Sequence, residues 1–259
     1  MKDDPNNRVA LFVTCLADLF RPSVAFASIA LLERAGCEVE VPEQQTCCGQ
    51  PGYNSGAKDE VLPLVKDVIE AFQDYAYVVV PSGSCAGMLK QHYPALLAQD
   101  SQWLRRAEDL AARTWEITSF FTDVMRYSLE DSEAGSAVAH RSVTYHDSCA
   151  GLRELGIKAQ PRSLLASLGV DITEMQSTEV CCGFGGTFCT KMPELSEKMV
   201  SDKLQCAADT GADLLLGGDL GCLLNIAGRA SREGAAIEVR HVTEVLAGEM
   251  DSTAIGKGR

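Results

Sequence analysis

The sequence is short of positive charge. Its 259 residues hold 23 Lys and Arg against 36 Asp and Glu, a formal net charge of −13, and its isoelectric point is near 4.8. That excess repels phosphate backbones, which argues against a nucleic-acid binder and against adhesion to an anionic membrane through a basic patch. Long apolar runs are missing too. No window approaches the roughly 20 apolar residues of a membrane span. The polar start, Met1 to Arg8, carries no basic end followed by an apolar stretch and a cleavage site, so a cytoplasmic protein is expected. No Gly-x-Gly-x-x-Gly opens a helix, and no glycine loop ends in Lys-Ser or Lys-Thr, which removes the usual nucleotide cradles. Cys-x-x-Cys is absent as well. Zinc knuckles and thioredoxin-like centres are built on that spacing.

Cysteine itself is plentiful, at 11 residues. Hydrophobic residues make up 46% of the chain, enough for a core that needs no disulfide staples. In a reducing compartment so many thiols point to metal or redox chemistry. Eight of them form one set written twice. Cys47-Cys48-Gly49 and Cys181-Cys182-Gly183 each have a cysteine 32 positions upstream, Cys15 and Cys149. Each also has one downstream: Cys85 lies 37 positions after Cys48, and Cys222 lies 40 after Cys182. Thiolates gathered from three distant points of a domain suit a soft metal or an iron–sulfur cluster.

The repeat extends to the surrounding pattern. Apolar strands are expected at Arg8–Thr14 and Ser142–His146, each ending near the first cysteine of its set. Helices follow at Val24–Ala35 and Pro161–Leu168, stopped by Gly36 and Gly169. Short strands come next, Glu38–Val41 and Asp171–Met175, and then the Cys-Cys-Gly loops. Amphipathic helices over Lys58–Asp74 and Pro193–Ala208 lead to strands at Tyr77–Val80 and Asp213–Leu216. The fourth cysteine of each set opens the helix after that. This alternation predicts an α/β fold of two similar βαβ-repeat domains, each a mostly parallel sheet flanked by helices. The first domain is expected over residues 1–135 and the second over 136–259, joined through the acidic stretch Leu129–His140 and ending in a mobile tail, Asp251–Arg259. Ligands of open α/β sheets sit at the carboxyl ends of the strands. All four cysteines of each half fall at that edge.

Adjacent cysteines make a poor chelate for one ion but can reach different irons of a multinuclear cluster. The expected metal ligands are Cys149, Cys181, Cys182 and Cys222 in the second half and Cys15, Cys47, Cys48 and Cys85 in the first. The glycine after each pair permits a sharp turn and a close approach. Gly183, Gly185 and Gly186 form a backbone expected to curl around a cluster or substrate. Cys189, which closes that loop, is either an extra ligand or redox thiol, or a buried structural residue. His146 and Asp147 either act as acid–base groups or donors to cluster sulfur, or are satisfied by local backbone. Cys37 and Cys206 read as small hydrophobes and His241 as structural.

These residues carry a resemblance. The halves are similar to the paired cysteine-rich CCG domains of heterodisulfide reductase, a domain also found in the iron–sulfur subunits of glycolate oxidase and anaerobic glycerol-3-phosphate dehydrogenase. The stretches Tyr145–Gly156, Cys181–Phe188 and Leu215–Asn225 closely resemble the lactate-utilization branch of that family, and the likeness runs from Arg8 to about Gly248. It implies an iron–sulfur subunit of a complex that oxidises L-lactate to pyruvate without NAD. The implied partners are a larger ferredoxin-like iron–sulfur subunit and a third small subunit. The implied cofactor is a 4Fe-4S type cluster in the second half, with a second cluster or zinc in the first. In the paired domains of heterodisulfide reductase a fifth cysteine completes each set. Met88 and Asn225 stand at those positions here, and Cys189 is the residue able to substitute in the second half. The richer second loop makes that half the expected reactive one. Two other readings stand: a zinc-binding assembly subunit, and a thiol–disulfide enzyme.

Overall fold

The computed structural model describes residues 8–130 and 133–257. The first seven residues, two of the expected connecting stretch (131 and 132) and the last two of the expected tail (258 and 259) lie outside the described residues.

Among the described residues, seven strands form two sheets. β1 (Arg8–Leu11), β2 (Glu38–Glu40), β3 (Tyr77–Val80) and β4 (Thr114–Glu116) make the first, in the order β2-β1-β3-β4. β5 (Val143–His146), β6 (Leu214–Gly217) and β7 (Glu238–His241) make the second, in the order β5-β6-β7. Every pairing is parallel. Parallel neighbours need crossover connections, which the helices supply. A single bridge from Ile172 to Val143 stands where β2 stands in the first sheet, so both sheets follow one plan.

The first sheet shows why these runs pair. Val9 and Leu11 point to one face and Ala10 to the other, and β3 alternates in step, Val79 against Val78 and Val80. The Ala10 face packs under Val61, Val65 and Val68 of the helix Lys58–Ala71. The Leu11 face joins Leu31, Val143, Leu214, Leu216 and Val245 in one core cluster that crosses from one half of the chain to the other. Leu215 and Val239, on the second sheet's far face, pack with Leu204, Leu223 and Ile226.

Helices also cross between the halves. The helix Gly83–Gly87 lies on Cys149–Leu155, and Cys15–Phe20 lies on Leu220–Glu233. Pro22–Arg34 packs on Val242–Ala247. The helices carrying Cys15 and Cys85 therefore each touch a helix carrying a cysteine of the second set.

Three expectations need correction. The strand expected at Asp171–Met175 is reduced to its one bridge, because Glu174 turns out to an ion pair with Arg162 while Val170 and Met175 turn into the core. β1 stops at Leu11, although Phe12 N–H still donates to the Val79 carbonyl at 2.9 Å. The tail is packed through Lys257 rather than loose: Ala254 and Ile255 are buried, and Ile255 N–H donates to the Val239 carbonyl at 2.9 Å.

Candidate metal centres

The first set forms at the carboxyl ends of β1 and β3. Thr14 caps the helix that Cys15 opens, and Ser82 accepts from Cys85 N–H to cap the helix carrying Cys85. Between them the Cys47-Cys48-Gly49 loop turns through Gly49 at φ +82°, where a Cβ would lie 2.8 Å from Val61 Cγ1. The Gly49 N–H reaches Cys47 Sγ at 3.5 Å. Tyr93 donates its hydroxyl proton to the Cys48 carbonyl at 3.0 Å and pins the loop from behind. Cys15 and Cys47 stand 3.6 Å apart at sulfur, Cys48 and Cys85 3.3 Å. Hydrogen bonds from Cys15 and Cys48 hold the Cys47 thiol far below its ordinary range, while the donors Cys15 and Cys48 are pushed up. Four thiols this close cannot all ionise without a cation between them. They line a cavity of about 170 Å³.

The second set repeats the arrangement. Ser148 caps the Cys149 helix, accepting from Gly151 N–H at 3.2 Å. Gly183, at φ +81°, directs its N–H to Cys181 Sγ at 3.4 Å, and its carbonyl accepts from Ser196 at 2.8 Å. Asn225 Nδ2 donates to the Cys182 carbonyl at 2.9 Å, the task Tyr93 performs in the first half. Hydrogen bonds from Cys149 and Cys182 hold the Cys181 thiol low. Here an imidazole joins the thiols. Ligand atoms of His146, Cys182 and Cys222 all lie within 4.8 Å of one another, and all three residues are buried. Both His146 ring nitrogens lack a hydrogen-bond partner, and burial holds the ring neutral, its pKa near 3. Orphaned nitrogens beside paired thiols are a donor set that a soft metal or iron–sulfur cluster would satisfy.

The two sets meet through their loops. Asp219 accepts from Ser82 Oγ at 3.2 Å and Ser84 N–H at 2.9 Å, and Gly83 N–H donates to the Gly218 carbonyl at 3.4 Å. Ser55 donates to Thr187 Oγ1 at 3.1 Å. The glycine-rich loop does not do what its position in the sequence suggests. Phe184, Gly186, Thr187 and Thr190 wall the cavity over the first half's cysteines. The Phe184 ring lies flush on Gly221, where a Cβ would come within 2.5 Å of it. Gly185 turns the loop beneath Phe188. The feature that singled out the second half thus belongs in space to the first.

Other expected residues take different places. Asp147 is buried in a bidentate pair with Arg162, at 2.8 and 3.0 Å, so both oxygens serve the guanidinium rather than proton transfer. Cys189 turns its thiol to the Gly186 carbonyl at 3.3 Å and does not join the His146 group. Met88 is buried in the core beside Cys48 and Cys85. Cys37 meets Met125 sulfur, and Cys206 is half-buried on its helix. His241 caps the helix Val242–Ala247. All eleven cysteines are free thiols. Sequence reasoning missed Tyr93, Asn225's grip on the loop, and the Ser82–Asp219 contact. Small polar residues just before each fourth cysteine are a signal for the Ser82–Asp219 contact alone.

The Cysteine-rich domain family (CCG) matches residues 9–90 and 143–227, covering both sets. "Lactate utilization protein A" of Shouchella clausii is 49% identical over 239 residues, 92% of this chain and 98% of that protein. The proteins of the same name from Bacillus subtilis and Oceanobacillus iheyensis are 46% and 48% identical over 240 residues, again 92% of this chain and 98% and 96% of theirs. Two family matches at the two thiol sets, and near-full-length relatives at this identity, place the chain in the cysteine-rich CCG domain family, among the lactate utilization protein A group.

Proposed function

We propose that the chain is the iron–sulfur subunit of a complex that oxidises L-lactate to pyruvate without a nicotinamide, passing the electrons to clusters in partner subunits. The observation that carries it is the pair of thiol quartets, each drawn from three separated points of the chain to one sheet edge, the first around a cavity. The name borne by the relatives supplies the substrate. Cys15, Cys47, Cys48 and Cys85 would hold one centre; Cys149, Cys181, Cys182 and Cys222 would hold the other. When bound, iron–sulfur clusters supply one-electron acceptors whose potential responds to hydrogen bonds at sulfur.

The chain's own residues shape that environment. Gly49 and Gly183 N–H groups point at Cys47 and Cys181 sulfur. Thr187 and Thr190 stand on the wall of the first cavity, where Thr14, Gln50 and Ser84 add further polar groups. Oxidation of lactate releases two electrons and two protons, so a two-centre protein can take one electron at each. Residues 1–135 and 136–259 serve as the two domains. A ferredoxin-like subunit and a third small subunit complete the complex in the cytoplasm. Among the described residues no helix is long and apolar enough to cross a membrane.

A second reading draws on the compact His146, Cys182 and Cys222 group: mixed nitrogen and sulfur donors at such separations also suit one zinc ion, in an assembly role. Anaerobic purification with the partners separates the two. Iron, acid-labile sulfide and zinc are measured, and EPR spectra are taken after adding L-lactate. Iron and sulfide with a lactate-reducible signal are expected. Zinc in both sets, with no iron or sulfide, would sink the proposal.

A further inference from the structure

We infer that His146 is a nitrogen ligand of the metal centre held by the second cysteine set, and that it makes this centre chemically unlike the first. The inference rests on the reading that the second set holds metal.

His146 ends β5, three residues before Cys149, in register with Gly217 of β6. Its counterpart ahead of Cys15 is Phe12, which is fully buried and packs with Cys48 and Cys85. The fold therefore accepts a wholly apolar ring at this place. In the second half an imidazole sits there instead, 1% exposed, with neither nitrogen hydrogen-bonded among the described residues. An unpaired buried polar group is costly because it has given up its water without gaining a partner. No described residue offers either nitrogen that partner.

The missing partner is indicated by the neighbours. A ring nitrogen of His146 lies within 4.8 Å of both Cys182 and Cys222 sulfur. Donors sharing one metal at usual sulfur and nitrogen bond lengths stand about 4 Å apart. Small side-chain adjustments bring this trio to a common ion. Cys181, hydrogen-bonded to both Cys149 and Cys182, extends the donor set. No comparable group of three ligand atoms occurs around the first set among the described residues.

The consequence is an ordered pair. Thiolate ligation alone would give the first centre the lower potential, since imidazole ligation raises a cluster's potential. A nitrogen ligand would therefore set the potential of the second centre above that of the first.

The test uses the full-length chain carrying Cys48→Ser, which silences the first set, loaded anaerobically and grown with either ordinary or ¹⁵N-labelled histidine. Electron–nuclear double resonance on the reduced cluster is expected to show a directly bound nitrogen whose pattern changes with the label. His146→Phe, copying the first half, should abolish that coupling and lower the midpoint potential while iron stays bound. His146→Gln gives a second variant should the first fold poorly, and labelling the otherwise unaltered protein needs neither. A second-set cluster signal without nitrogen coupling overturns the ligand assignment and leaves the proposed function standing. A second set without iron and sulfide, in protein whose first set is loaded, overturns this assignment as an iron ligand and the two-centre reading with it.

Discussion

Glu116 ends β4 with its carboxyl wholly inside the protein, near Tyr145 and Asp219 of the other half. Burial lifts its pKa to about 7, although Thr118 and Ser119 both donate to it. The folded state therefore favours the protonated acid. That contribution is full below the unfolded value near 4.5 and is lost as pH rises through 7. By linkage it amounts to something on the order of 3 kcal/mol. Glu116→Gln should flatten the decline of stability between these pH values, as read by urea titrations at a series of pH; an unchanged slope would show that another group controls it. Gly183 makes a second residue-scale prediction. At φ +81°, with a Cβ 2.8 Å from the Ser196 carbonyl, Gly183→Ala should cost about 1–3 kcal/mol and displace the Cys181 loop. Iron per chain should fall in the second set and hold in the first. The turn was legible from Cys-Cys-Gly alone. Tyr93 and Asn225 were not, because their partners are loop carbonyls that come within reach only after folding.

At the scale of elements, the long amphipathic helices and the apolar strands β1, β3, β5 and β6 were readable from periodicity, and Pro193–Ala208 matches its expected limits. β4 and β7 were not. Each is short and mixes charged residues with apolar ones, and β7 places Arg240 and His241 in the interior, where neighbours rather than propensity decide. The helix crossing of Gly83–Gly87 on Cys149–Leu155 was also invisible in one dimension. It depends on the absence of side chains, since a Cβ on Gly83 would lie 2.8 Å from Gly151 Cα. Gly83→Ala should push the two helices apart, costing about 1–3 kcal/mol. Because one helix carries Cys85 and the other opens at Cys149, metal should be lost from both sets, which quantitation of iron after anaerobic loading would show. Loss from the first set alone would mean the crossing is locally compliant.

Over the whole molecule, the repeat predicts two similar domains, and one shared core cluster and paired helices link the two halves. Arg21 is the clearest fastening. It pairs at 2.7 Å with Glu244, whose side chain is fully buried, and its guanidinium also reaches the Thr253 carbonyl and Ser252. Arg21→Ala leaves that carboxylate without its cation and should cost about 3–5 kcal/mol. Denaturant unfolding should remain one transition at a lower midpoint. Two separated transitions would show that the halves are stable alone. The reactive half could not be read from the chain, because the Phe184–Thr190 loop belongs to one cysteine set by sequence and to the other by position.

That roof has a bearing on how the protein is made. A nascent chain released only as far as the connecting stretch has all four thiols of its first set but no cover for them, and the cover arrives last, with residues 184–190. Any metal donor that serves the first set meets bare thiols during synthesis and a cavity walled by the second half's loop afterwards. Loading order, rather than affinity alone, would then decide what each set receives.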